Sequence, residues 1–133
     1  MNTYNTRLNY LMTSTDSIFD EKDFTTLSDQ IEVHKYLINQ SIPWTISWYD
    51  AAFSWLENVF HPIMQVLMRW DVRSAFAHTK IDDLFFAVSD HWFYLLEKDP
   101  EVTAQYATLD YAATYGKGLG RFVSSLRLPH KVA

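Results

Sequence analysis

The chain has 133 residues, enough for one buried core, with 48% apolar residues, 17% aromatic residues and a net charge of −5. This composition argues against disorder, and three glycines with four prolines give too few turn signals for a many-stranded sandwich or barrel. With no cysteine, disulfides, thiolate zinc sites and a cysteine nucleophile are excluded. No basic segment precedes an apolar run at the start, and charges interrupt every apolar stretch before membrane-spanning length. The expectation is a cytoplasmic globular protein with no membrane association.

Residues 1–13 carry a weak helical pattern in Leu8, Leu11 and Met12, and Thr13 to Ser17 reads as a turn. The first strong helix is predicted to open near Thr26, where Thr26 and Asp29 have capping-box spacing, and to run to about Gln40. Pro43 breaks it. Ser47 and Asp50 repeat the start signal for a long helix carrying Trp48, Ala52, Trp55, Val59, Ile63 and Leu67. Pro62 falls inside that pattern and removes the bond to the Asn58 carbonyl, which predicts a kink or a split. Thr79 and Asp82 then mark a helix ending near Lys98, and Asp99-Pro100-Glu101 marks the next, which stops at Gly116. A short last helix is expected from Arg121 to Leu126. The fold class is therefore all-α, a compact bundle of about five to six helices. It is read as one domain over 1–133, with a weakly ordered segment at 1–25 and a short basic segment at 116–133.

An internal echo runs through this pattern. Leu27, Ile31, His34 and Ile38 are matched 57 residues later by Leu84, Val88, His91 and Leu95. Both sets step by four, three and four residues, which places each on one face of a helix. Two repeated helix-pair units would produce it, each with a histidine in its packing seam. Glu32 and Asp90 stand too close in sequence to share a helical face with their histidines. A histidine in an apolar seam is most simply a core residue bonded to backbone or to a partner side chain, and the two imidazoles facing each other is a further version. A small-ligand pocket would draw on His34, His91, Tyr36, Tyr94 and Trp48.

Other chemistry is thin. Glu57 and His61 lie four apart, legitimate metal-ligand spacing, but a di-iron site needs a second pair, Glu-x-x-His at three-residue spacing, and further inward glutamates. No metal or other cofactor is assigned. All three glycines fall in Tyr115-Gly116-Lys117-Gly118-Leu119-Gly120-Arg121, whose spacing is neither the phosphate loop nor the dinucleotide fingerprint. Gly116 as a helix stop explains it, with Lys117 and Arg121 left as anion-binding candidates. All sixteen acidic residues lie at or before Asp110, and Lys117, Arg121, Arg127 and Lys131 follow without an acid. Such a basic tail offers phosphate contacts to a nucleic acid or simply offsets the acidic body. No catalytic residue emerges.

The stretches Glu32 to Gln40, Ile46 to Ala52, Val59 to Ile63 and Asp83 to Leu95 resemble a helical region of unknown function from bacteria. In that family it follows a ParB/sulfiredoxin-like domain in proteins described as transcriptional regulators. The resemblance covers about residues 30–98 and rests on scattered aromatic, histidine and proline positions. It departs at Ala77-His78-Thr79, where a Gly-Arg-Thr turn is expected, and residues 1–25 leave no room for the ParB-like part. The resemblance implies a regulatory or partner-binding role and carries over no catalytic residue. Five tryptophans and eight tyrosines add aromatic surface of the kind that anchors interfaces. The expected function is a small cytoplasmic helical interaction or regulatory module working through a protein partner or a homodimer. The alternatives are a ligand-binding protein or enzyme built on His34 and His91, and a nucleic-acid-associated protein using the basic tail.

Overall fold

The structure is a computed structural model that describes residues 2–118, 120 and 124. Among these residues every regular element is helical, and the all-α class expected from the pattern is what forms. The chain divides into two compact units, Met1–Asn58 and Val59–Ala133. No helix is long and apolar enough to cross a membrane among the described residues.

The first unit opens with α1, Thr3–Ser14, capped by Asn2, whose side chain accepts from the Asn5 N–H at 2.7 Å. The buried Thr15 hydroxyl bonds back to the Leu11 carbonyl. Asp16 and Ser17 then turn the chain with φ of 53° and 57°, left-handed values that short polar side chains tolerate best. A 3-10 turn, Glu21–Asp23, runs directly into α2, Phe24–Ser41. This helix starts two residues ahead of Thr26. The Asp23 carboxylate accepts from the Asp20 N–H at 2.9 Å, so the reciprocal cap sits at Asp20 and Asp23, and Thr26 and Asp29 lie exposed within the helix.

Helix α3, Trp48–Trp55, begins where expected: the Ser47 hydroxyl accepts from the Asp50 N–H at 3.0 Å. A five-residue π-helical turn, Leu56–Phe60, follows, and α4, His61–Leu67, carries Pro62 in its first turn. The predicted break at Pro62 therefore takes the form of a π-turn. Proline has no N–H for the Asn58 carbonyl, and a π-turn shifts the pairing by one residue around the gap.

The second unit continues with α5, Trp70–Ala75, a short helix that the sequence pattern did not single out. Then come α6, Ile81–Lys98, and α7, Ala104–Tyr115. Thr79 does not cap α6. Its N–H donates to the Phe76 carbonyl in the preceding turn, Lys80 takes the cap position, and buried Asp82 instead accepts from the Asp83 N–H. Asp99-Pro100-Glu101 does not open α7 either. The Asp99 side chain accepts from the Glu101 N–H and its carbonyl from the Val102 N–H, which closes a turn, and Thr103 caps the helix by accepting from the Tyr106 N–H. The expected last helix from Arg121 to Leu126 falls, apart from Ser124, outside the described residues.

Burial follows the helical period. In the first unit α2 packs on α3, with Phe24, Leu27 and Ile31 of α2 and Trp48, Ala51, Ala52 and Trp55 of α3 buried, and Phe24 stands edge-on to Tyr4 of α1. In the second unit α6 packs on both α7 and α4, and Phe85 stacks beside Phe60 with ring centres 5.6 Å apart. Helix α6 accordingly buries Leu84 and Val88 on one side and Phe85 and Ser89 on another. The glycines serve packing on α5. A Cβ at Gly116 would lie 2.8 Å from that of Ala75, and one at Gly120 would lie 2.2 Å from the Asp71 carbonyl oxygen. Gly118 adopts φ of +67°, which favours glycine.

Candidate functional site

The 57-residue echo extends over whole elements. Helices α2 and α6 each span 18 residues, and Phe24 and Ile81, their first residues, are themselves 57 apart. Across the following break the offset drops to 56: Ser47 corresponds to Thr103 as a hydroxyl cap, and Ser54 to Asp110. Those last two residues receive the histidines. Each imidazole is half-buried and finds its hydrogen-bond partner on the next helix of its own hairpin.

In the first hairpin His34 Nε2 lies 2.8 Å from Ser54 Oγ. Asn58 Nδ2 donates to that Oγ at 3.1 Å and to the Ser54 carbonyl at 2.9 Å, leaving the serine O–H to donate to the imidazole. Burial holds the His34 pKa below its ordinary value, which favours the neutral ring that accepts such a bond. A base beside a hydroxyl is the first requirement of a serine nucleophile. The others are missing: no side chain orients the far nitrogen of His34 among the described residues, and no pair of N–H groups converges on Ser54.

In the second hairpin His91 Nε2 donates to Asp110 Oδ2 at 2.8 Å. Three tyrosine rings surround the imidazole, with centroids 5.5 Å away for Tyr111, 6.2 Å for Tyr115 and 6.4 Å for Tyr94. Burial, and then the neighbouring Tyr115, push the Tyr111 hydroxyl above its ordinary pKa. The carboxylate can only accept, so it fixes a proton on Nε2 and the ring's orientation. Lys98 sits over the Tyr94 ring and bonds its hydroxyl. Glu32 and Asp90, the acids nearest in sequence to the histidines, are exposed.

The remaining candidates are dispersed. Tyr36 and Tyr94 are exposed, whereas Trp48 is buried at the start of α3 under the Arg7 guanidinium, with Tyr10 and Tyr49 edge-on to it. Glu57 and His61 are exposed at the π-turn, where a four-residue spacing is no longer one helical turn. Neither belongs to a group of three metal-ligating side chains among the described residues. Lys117 is exposed, but its N–H donates to the Ala75 carbonyl, so that amide is not open to an anion. Arg121 lies outside the described residues. The buried Asp71 accepts from the Ser124 hydroxyl at 3.2 Å and has Arg69 Nε at 4.0 Å, so a serine of the C-terminal segment serves internal packing.

Ser54, Asp110, Tyr111 and Tyr115 were not reached from the sequence. Their signal is present in the echo, hidden by the one-residue change of offset between the helices of each pair. Comparison with protein-family models, with curated proteins and with solved structures finds no match.

Proposed function

We propose that the protein is a small cytoplasmic helical interaction or regulatory module that acts through a protein partner or through self-association. The observation that carries this reading is a repeated exposure. Tyr36 and Leu37 on α2 are 62% and 52% exposed, and Phe93 and Tyr94, at the corresponding places on α6, are 58% and 50% exposed. A helix face turned to water ordinarily carries polar residues, so large apolar side chains at the same two positions of both hairpins favour a contact surface. Aromatic side chains contribute more than their share to such contacts. The resemblance to regulator-associated helical regions supports the regulatory half of the reading.

Sedimentation across a wide concentration range, with apolar-dye binding in parallel, tests it. The expected result is dye binding or concentration-dependent mass that falls when Tyr36 and Phe93 are both replaced by serine. A strict monomer at high concentration with no dye binding overturns the proposal.

A second reading, a small-ligand binder or enzyme, draws on the half-buried His34–Ser54 and His91–Asp110 pairs. It predicts a ligand- or metal-dependent rise in thermal stability that is lost on replacing either histidine. Nucleic-acid binding through the basic tail, the third reading, requires affinity for DNA or RNA that falls steeply with salt.

A further inference from the structure

We propose that Arg7 and Trp48 form a binding site for an oxyanion, a carboxylate or phosphate group, at the start of α3. The Arg7 guanidinium carbon lies 4.7 Å from the centre of the Trp48 ring. Stacking on an indole fixes the plane of the guanidinium and leaves its N–H edges free to bind in that plane. Yet Arg7 Nε is out of contact with solvent and has no hydrogen-bond acceptor, and the same holds for Trp48 Nε1. Trp48 itself is only 3% exposed. Two unmet N–H donors on stacked side chains are costly to leave empty, and such groups are ordinarily satisfied.

What would satisfy them is an acceptor, and its sign follows from the surroundings. Among the described residues no carboxylate pairs with Arg7, although the chain carries a net charge of −5. Asp50, in the first turn of the same helix, is exposed and forms no ion pair with it. Trp48 is also the first residue of α3, whose Ser47 cap takes the Asp50 N–H, so the positive end of this helix lies at the same place. The Tyr10 and Tyr49 rings stand edge-on to the indole with centroids 6.1 and 5.1 Å from it, apolar walls that strengthen a charge-assisted bond beside them. Arg7 Nε–H with a neighbouring Nη–H supplies the fork that carboxylates and phosphates take, and Trp48 Nε1–H supplies a third donor.

The test uses the full chain and proton–nitrogen NMR at fixed ionic strength. The Trp48 Nε1–H and Arg7 Nε–H resonances are assigned from Trp48→Phe and Arg7→Lys variants. Inorganic phosphate and acetate are titrated separately, with chloride as control. Both resonances are expected to move along one saturable curve. Saturation by phosphate alone identifies a phosphoryl group as the ligand, saturation by acetate alone identifies a carboxylate, and either supports the site. Arg7→Gln should weaken binding about tenfold or more, and Trp48→Phe, which keeps a ring under the guanidinium, about two- to tenfold. The proposal is overturned if neither resonance saturates in the unaltered protein, if chloride reproduces the shifts, or if the Trp48 response survives unchanged in Arg7→Gln.

Discussion

The hairpin of α2 and α3 and the hairpin of α6 and α7 share a plan and differ in what surrounds it. Both have an 18-residue first helix, a half-buried histidine in the same register, a hydroxyl cap on the second helix and a partner for the imidazole on that helix. In the second hairpin α6 also packs against α4, and Asp82, Phe85 and Ser89 of α6 are buried. The corresponding places on α2 hold Thr25, Ser28 and Glu32, of which Thr25 and Glu32 are exposed. The histidine partners differ as well, a hydroxyl in one hairpin and a carboxylate in the other. Geometry set by helical period and capping is thus repeated, while composition follows what each face meets.

The largest expected effect tests the equivalence of the second helices. Trp55 and Tyr111 are 56 residues apart and occupy matching positions, yet Trp55 is fully buried and bonds Gln30 through its indole N–H, whereas Tyr111 is half-buried. Trp55→Ala should cost about 3–5 kcal/mol in urea unfolding, and Tyr111→Ala about half as much. Equal losses would break the comparison, because they would mean that burial does not separate the two places. A smaller effect separates the histidine partners. Asp110→Ala should cost about 2 kcal/mol and Ser54→Ala about 1 kcal/mol, as expected for a hydrogen bond to a charged group and one between neutral groups. Added salt should shrink the first loss and leave the second unchanged. A salt-independent Asp110 effect would show that the carboxylate acts there as a neutral hydrogen-bond partner does.

The helical class, the register of both histidines and the interruption at Pro62 were legible because each rests on period or on proline chemistry, which are local. Helix starts were less so. A hydroxyl three residues before an acid marks an expected helix start at Thr26, Ser47 and Thr79, but of these three only Ser47 becomes a cap. Thr79 is committed to a turn after α5, and Thr26 is overtaken by the Asp20–Asp23 cap upstream. Helix α5 is six residues long, too short to display a period, so the packing of Gly116 and Gly120 against it was hidden, although Gly116 does end α7 as the pattern predicts. The imidazole partners were invisible for a different reason. Ser54 and Asp110 share no chemistry that a residue-by-residue echo detects, and a one-residue shorter connection moves them out of register. Arg7 lies in a segment with a weak pattern, and only its stacking on Trp48 draws attention to it.

The smallest effect sharpens the contrast in how the first hairpin responds to acid. Burial lowers the His34 pKa from its ordinary 6.5, and a neutral hydroxyl partner offers an imidazolium no counter-charge. The unfolded chain therefore binds a proton at this site more readily than the folded one as pH falls through about 6.5. Stability should decline over that window, level off once the folded ring is also protonated, and be indifferent to this group well above it. His34→Gln removes the titration while keeping a polar side chain. The advantage in melting temperature of the unaltered protein over this variant should shrink between pH 7.5 and pH 5.5. An advantage that grows on acidification would require a proton held more tightly in the folded state, and the neutral His34–Ser54 pair would then be the wrong description of the first hairpin.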